Sequence, residues 1–250
     1  MNIKVVANNA GIFAKVILAV QTIKHHCNKG GISLDSIDNI YFESRPNGMT
    51  TNLFDYVLDQ EELPKYDMVL QSRLFKYYNK MFTDSDLPFF RLIFNKLKFN
   101  NSVLSKINTI IDENTLGVHI RLTDMNTLHG NSYGVRNFKN YMDTIDSVMT
   151  NNDFKNIFIS SDNTESINKL IDTDYNIITN TEITNRNINE ADGAGYNKLL
   201  KASHLEEKFW VDSFLDMLSL AKCGELIKGP SSLSNTSIIL SSTFKKVYYV

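Results

Sequence analysis

Gly117-Val118-His119-Ile120-Arg121-Leu122-Thr123-Asp124 is the stretch on which the fold turns: an apolar run beginning at Leu116 that ends in His, Arg and Asp. Four to six consecutive apolar residues bounded by polar ones fit a strand buried on both faces, the kind found in a parallel sheet. Working outward, the same texture recurs at Ile157–Ser161, Asn176–Thr179, Glu225–Lys228 and Lys246–Val250, with helical spacing between them at Asn137–Met149, Thr164–Ile171, Asn197–Ala221 and Ser231–Leu240. Alternation of this kind implies parallel strands with helices on both faces of the sheet.

Toward the N-terminus the apolar run Ile3–Ala7 is followed by the turn-forming Asn8-Asn9-Ala10-Gly11 and a helical pattern from Ile12 to His26. Ile37–Phe42 reads as a second strand with Pro46-Asn47-Gly48 as a turn behind it. Residues 52–108 read as mainly helical, with Pro64 and Pro88 as boundaries and a short strand at Met68–Leu70. The expected fold class is α/β, in two halves, residues 1–113 and 114–250. Between them in function, the polar stretch Asn180–Gly195 is expected to be a lid loop.

Composition narrows the classes. A chain of 250 residues with 42% hydrophobic content buries a core without disulfide help. The net charge of -2, with no basic run, gives no footprint for nucleic acid. The apolar stretch Ile12–Val20 is interrupted by Lys15 and too short to span a bilayer, and no signal-peptide flanks surround it, so no transmembrane segment and a cytoplasmic location are expected. Cys27 and Cys223 have no metal-ligand spacing and are expected as reduced, buried thiols.

Three strand ends carry candidate chemistry. Ligands of open parallel sheets lie beyond the carboxyl ends of the strands, which is where Arg121 and Asp124 fall. The planar Arg121 fork suits a diphosphate, and it equally suits a surface pair with Asp124. In Ser160-Ser161-Asp162-Asn163, Asp162 fits either a ribose or base contact or the cap of the next helix. In Lys228-Gly229-Pro230-Ser231-Ser232-Leu233-Ser234-Asn235, a strand runs into a helix start whose amides and two hydroxyls fit an anion cradle, and Ser is also the ordinary N-cap.

Taken in order, these stretches resemble the three motifs of the α-1,2-, α-1,6- and protein O-fucosyltransferases, which use GDP-fucose. There a strand ends in His-x-Arg-Arg-x-Asp, a later one in Ser-Asp-Asp, and a helix beginning with Asp leads through a strand to Ser-Ser-Phe-Ser. The matching stretches are His119–Asp124, Ser161-Asp162-Asn163, and Asp216 through Ser231-Ser232-Leu233-Ser234, with Cys223 in its familiar place between them. The resemblance covers roughly residues 115 to 243.

It implies a GT-B-like, inverting, metal-independent glycosyltransferase of two Rossmann-like halves facing a cleft, with residues 1–113 as an acceptor-side domain and 114–250 as a nucleotide-sugar-binding domain, a nucleotide-sugar donor and a glycan or other hydroxyl acceptor as partners, and no cofactor. His119 and Arg121 are implied at the diphosphate with Asp124 in the same motif, Ser231 and Ser232 at phosphate oxygens, Asp216 at guanine and Asp162 as a weaker contact. Leu122 stands where many members have a second Arg, and Met125 and His129 stand where the α-1,6 branch has Lys and an acceptor-activating Glu.

His129 is one candidate base, because an imidazole titrates near neutral pH, and Glu43 after the second strand is the other. The triplets Asp84-Ser85-Asp86 and Asp172-Thr173-Asp174 resemble cation-binding Asp-x-Asp, but their positions read as a helix start and a helix end. The same architecture also suits a transferase using another GDP- or UDP-sugar, or a non-catalytic nucleotide or glycan-binding module.

Overall fold

The computed structural model describes residues 1–6, 12–45, 52–71, 82–122, 137–161, 164–180 and 206–250. The chain divides into two compact units, Met1–Ser105 and Lys106–Val250. Ile111, assigned from sequence to the first domain, sits in the core of the second unit with Phe158, Leu220 and Leu226. The division therefore falls ahead of residue 113.

The first unit holds a parallel sheet of β1 (Asn2–Val6), β2 (Asn39–Glu43) and β3 (Met68–Gln71) in the order β2-β1-β3. Alternation in β1 buries Ile3 and Val5. Lys4 turns the other way, over the rings of Tyr41 and Tyr66 at 5.4 and 5.5 Å. Helix α1 (Ile12–Asn28) connects β1 to β2 and ends with His25 and His26 in its last turn, the favourable end of the helix dipole for imidazole.

Two sequence expectations change here. The second strand starts at Asn39, because Leu34–Ser36 form a 3₁₀ turn and the Asp38 amide donates to Met1 O. The stretch from residue 52 is less helical than its spacing suggested. Asn52 is buried and accepts from Ser44 N while donating to Phe42 O, which restricts helix to the single turn Leu53–Tyr56. Beyond it, Leu58 bridges Phe99, and among the described residues regular helix returns in α2 (Leu87–Phe94) and the short α3 (Asn101–Leu104).

The second unit is a five-stranded parallel sheet of β4 (Thr115–Ile120), β5 (Asn156–Ser161), β6 (Ile177–Ile178), β7 (Glu225–Lys228) and β8 (Lys246–Tyr249), in the order β6-β5-β4-β7-β8. Every residue of β4 and β7 is buried, as parallel strands covered on both faces must be. One face packs Leu116, Val118, Ile157, Ile159 and Ile227 against Tyr141, Ile145 and Val148 of α4 (Phe138–Asn151) and Ile167 and Leu170 of α5 (Thr164–Ile171). The opposite face packs Phe158 and Leu226 against Leu220 of α6 (Glu206–Lys222), Cys223, and Leu233 and Ile238 of α7 (Ser232–Leu240).

Two glycines make the close contacts possible. A Cβ on Gly117 would meet Cys223 and Leu220 at 3.2 Å, so its absence lets the end of α6 approach β4. A Cβ on Gly224 would lie 2.1 Å from the Glu113 carbonyl oxygen, where no side chain fits. β8 is an edge strand, and Tyr249 is 75% exposed there. Cys223 is buried and Cys27 half-buried, and both are free thiols. No helix among the described residues is long and apolar enough to cross a membrane.

Candidate functional site

In the second unit the chain leaves β4 toward β5 on one side and later returns to β7 on the other. The strand order therefore reverses between β4 and β7. Both crossovers diverge at that point, and the crevice at the carboxyl ends of these two strands is where such sheets bind ligands. His119 pairs in register with Lys228 on one side and Ser160 on the other, and Lys228 pairs with Tyr249. Gly117 faces Leu220 and Cys223, so His119, two residues on, shares the α6 and α7 side of the sheet.

Arg121 and Leu122 leave the end of β4 half-buried. From the adjacent β7 the chain passes Gly229 and Pro230 into α7. Ser231 is the N-cap, extended at φ -158 and ψ 140, and its side-chain oxygen accepts from Leu233 N at 3.3 Å. Ser232 opens the helix and is half-buried. Ser237 donates to Met217 O at 2.9 Å and so ties α7 to α6. Arg121 and the start of α7 thus emerge from neighbouring strands at the same edge of the sheet. One supplies a guanidinium, the other a helix-terminal amide and the positive end of a dipole.

Beneath this edge lies a buried polar layer. Lys228 is 2% exposed; its ammonium donates to Asn235 Oδ1 at 2.7 Å and lies 5.2 Å from the centre of the Tyr249 ring. Asp216, on α6 and 1% exposed, accepts from Ser160 Oγ at 2.9 Å and from Asn180 Nδ2 at 3.5 Å. Asn180 also donates to Ser219 Oγ at 2.7 Å. His119 is 4% exposed and belongs to the same layer.

Of the residues singled out from sequence, His119, Arg121, Ser231 and Ser232 come together at the β4 and β7 ends, and Asp216 lies in the polar layer behind them. Asp124, His129 and Asp162 lie outside the described residues, as do residues 181–195 of the expected lid loop. Glu43 belongs to the first unit, where its carboxylate pairs with Lys4, and Arg45 approaches to 4.0 Å.

The Asp-x-Asp triplets act as sequence position suggested. Asp86 accepts from Thr83 N and Thr83 Oγ1 in a capping box and pairs with Lys24. Asp172–Asp174 form the turn after α5.

Lys228, Asn235 and Asn180 escaped the sequence reading. A charged residue closing the apolar run Glu225-Leu226-Ile227-Lys228 was the available signal for the first. Asn180 was hidden as the first residue of a polar loop.

No protein-family model matches the chain, and no curated protein matches it in sequence. Its fold does match solved structures. The fucosyltransferase NodZ from Bradyrhizobium aligns at a TM-score of 0.59 and 10% identity, over 95% of this chain and 93% of that one. NodZ α-1,6-fucosyltransferase soaked with GDP-fucose aligns at 0.60 and 11% identity, and the same enzyme co-crystallised with GDP at 0.61 and 10%, each over 95% of this chain and 92% of the other. The chain therefore has the fold of solved fucosyltransferases, the group of enzymes that its three motifs resemble.

Proposed function

We propose that the chain is a glycosyltransferase that moves fucose from GDP-fucose to an acceptor hydroxyl, with inversion and without a metal. The observation that carries this reading is the convergence of Arg121 and the Ser231-capped start of α7 at the β4 and β7 ends. A departing nucleoside diphosphate gains negative charge as the bond from its β-phosphate oxygen to the anomeric carbon breaks. Arg121 donates to that charge through two parallel N–H groups, and the first amides of α7 meet it with no reorganisation. Such an arrangement supplies the charge compensation that a cation provides in other transferases.

The acceptor oxygen attacks the anomeric carbon from the opposite face while a base takes its proton. His129 and Glu43 are the candidate bases, and Glu43 would have to yield its pairing with Lys4 to serve. Asp216 provides acceptor oxygens on the base side of the nucleotide, and the first unit is assigned to the acceptor. The reaction is placed in the cytoplasm.

The test is turnover of GDP-fucose, measured as GDP release with and without a glycan acceptor, alongside binding of GDP and UDP. Wild type is expected to prefer GDP and to release it from GDP-fucose, and Arg121→Ala to lose at least about a hundredfold in rate, the scale of one lost charge-stabilising donor. Equal binding of UDP would point to another donor. Nucleotide binding with no turnover in either protein would point to a binding module.

A further inference from the structure

We infer that Asn180 is a specificity-determining residue that reads the exocyclic amine of a guanine base, an inference that rests on the GDP-donor reading above. Asn180 follows the carboxyl end of β6, two strands from β4 in the sheet. At the usual strand spacing that is roughly 10 Å from the diphosphate edge, within reach of the base of a nucleotide laid across the strand ends.

The amide orientation is fixed by its partners. Nδ2 donates to Ser219 Oγ at 2.7 Å and points to Asp216 Oδ1 at 3.5 Å. A flipped amide would set its carbonyl oxygen against a carboxylate, so Nδ2 faces Asp216 and Ser219 and the oxygen is left as an acceptor. That oxygen, Oδ1, is buried and has no hydrogen-bond partner, while the residue as a whole is only half-buried. Buried acceptors are nearly always satisfied in folded proteins, and an unsatisfied one at a strand's carboxyl end calls for a donor from a ligand.

The Asp216 carboxylate beside it makes a second acceptor. Two adjacent acceptors match the N1–H and 2-amino donors that guanine presents side by side. Uracil offers a single N–H between two carbonyl oxygens, and adenine an amine beside a bare ring nitrogen. Each would set an acceptor against one of these two oxygens.

The experiment compares GDP with inosine diphosphate, which differs only by lacking the 2-amino group, and with UDP. Binding is measured by calorimetry for wild type, Asn180→Leu and Asn180→Ala. Wild type is expected to bind GDP about tenfold more tightly than inosine diphosphate, the scale of one hydrogen bond to a buried acceptor. In Asn180→Leu and Asn180→Ala the two affinities should converge on the inosine value.

A purely structural role for Asn180 would weaken both nucleotides alike and leave their ratio unchanged, and that result overturns the inference. Equal wild-type affinities for the two purines overturn it without any variant. If wild type binds no guanine nucleotide, the donor reading itself fails. If wild type binds GDP tightly and the ratio in both apolar variants stays at its wild-type value, only the role of Asn180 fails.

Discussion

Replacing Lys15 by Met should stabilise the first unit at neutral pH and should do so by an amount that depends on pH in a calculable way. Lys15 lies on α1, is 4% exposed, and donates to the buried Ser44 Oγ at 2.6 Å. Burial disfavours the ammonium and lowers its pKa from 10.5 to about 8. At about 1.4 kcal/mol per pH unit, that fall corresponds to about 3 kcal/mol of folding free energy spent on burying the charge.

The unfolded chain keeps its proton up to about pH 10.5, whereas the folded chain gives it up near pH 8. The cost is therefore full below pH 8, shrinks as pH rises from 8 to 10.5, and is gone above that. Met removes the charge at similar volume and loses the bond to Ser44, worth about 1 kcal/mol. Lys15→Met should thus be about 2 kcal/mol more stable than wild type at pH 7, level with it near pH 10 and slightly less stable above.

Urea titrations monitored by circular dichroism at pH 7, 8, 9 and 10 would show this as a midpoint raised by on the order of 1 M at pH 7, converging with wild type at pH 10. Taking the difference between the two proteins cancels the opposing titrations of Tyr175, Tyr248 and Cys223, which burial displaces upward. A variant that is less stable at pH 7, or a difference that does not change with pH, would refute the reasoning.

Gly224→Ala should be strongly destabilising: its Cβ would lie 2.1 Å from a backbone oxygen, and the strand entry must shift at a cost of about 3 kcal/mol. Thermal unfolding should fall by roughly 6 to 12 °C, and a change under 2 °C would show that the β4 and β7 entries are not so closely packed. Lys228→Met should leave unfolding temperature unchanged or raised, because a buried ammonium is costly to its host, yet weaken GDP by about tenfold in calorimetry. Unchanged GDP affinity would confine Lys228 to a structural bond with Asn235.

The parallel strands were legible because burial on both faces demands uninterrupted apolar runs: β4, β5 and β7 fall almost residue for residue on Leu116–Ile120, Ile157–Ser161 and Glu225–Lys228. The described residues between 52 and 108 misled, because the backbone there is held by partners distant in sequence. Asn52 bonds to β2 and Asp59 N to Lys98 O, contacts between residues that local periodicity does not relate. The exposure of Tyr249 was not legible, because exposure at a sheet edge depends on strand order, which no single strand encodes.

The same limit separates the parts of the site. Arg121 and Ser231 were found through motifs that each announce a strand end. The bond from Lys228 to Asn235 joins a strand end to the first turn of the next helix, and the bonds of Asn180 to Asp216 and Ser219 join residues 36 and 39 positions apart. Only the insertion of β7 beside β4 brings His119 into register with Lys228.

A crystal structure of the chain with GDP tests the central claim most directly. The account predicts the diphosphate at the carboxyl ends of β4 and β7, with Arg121 donating to one phosphate and the amide and hydroxyl of Ser232 to another. Density for the phosphates anywhere else on the molecule, with Arg121 and the start of α7 untouched, would contradict it.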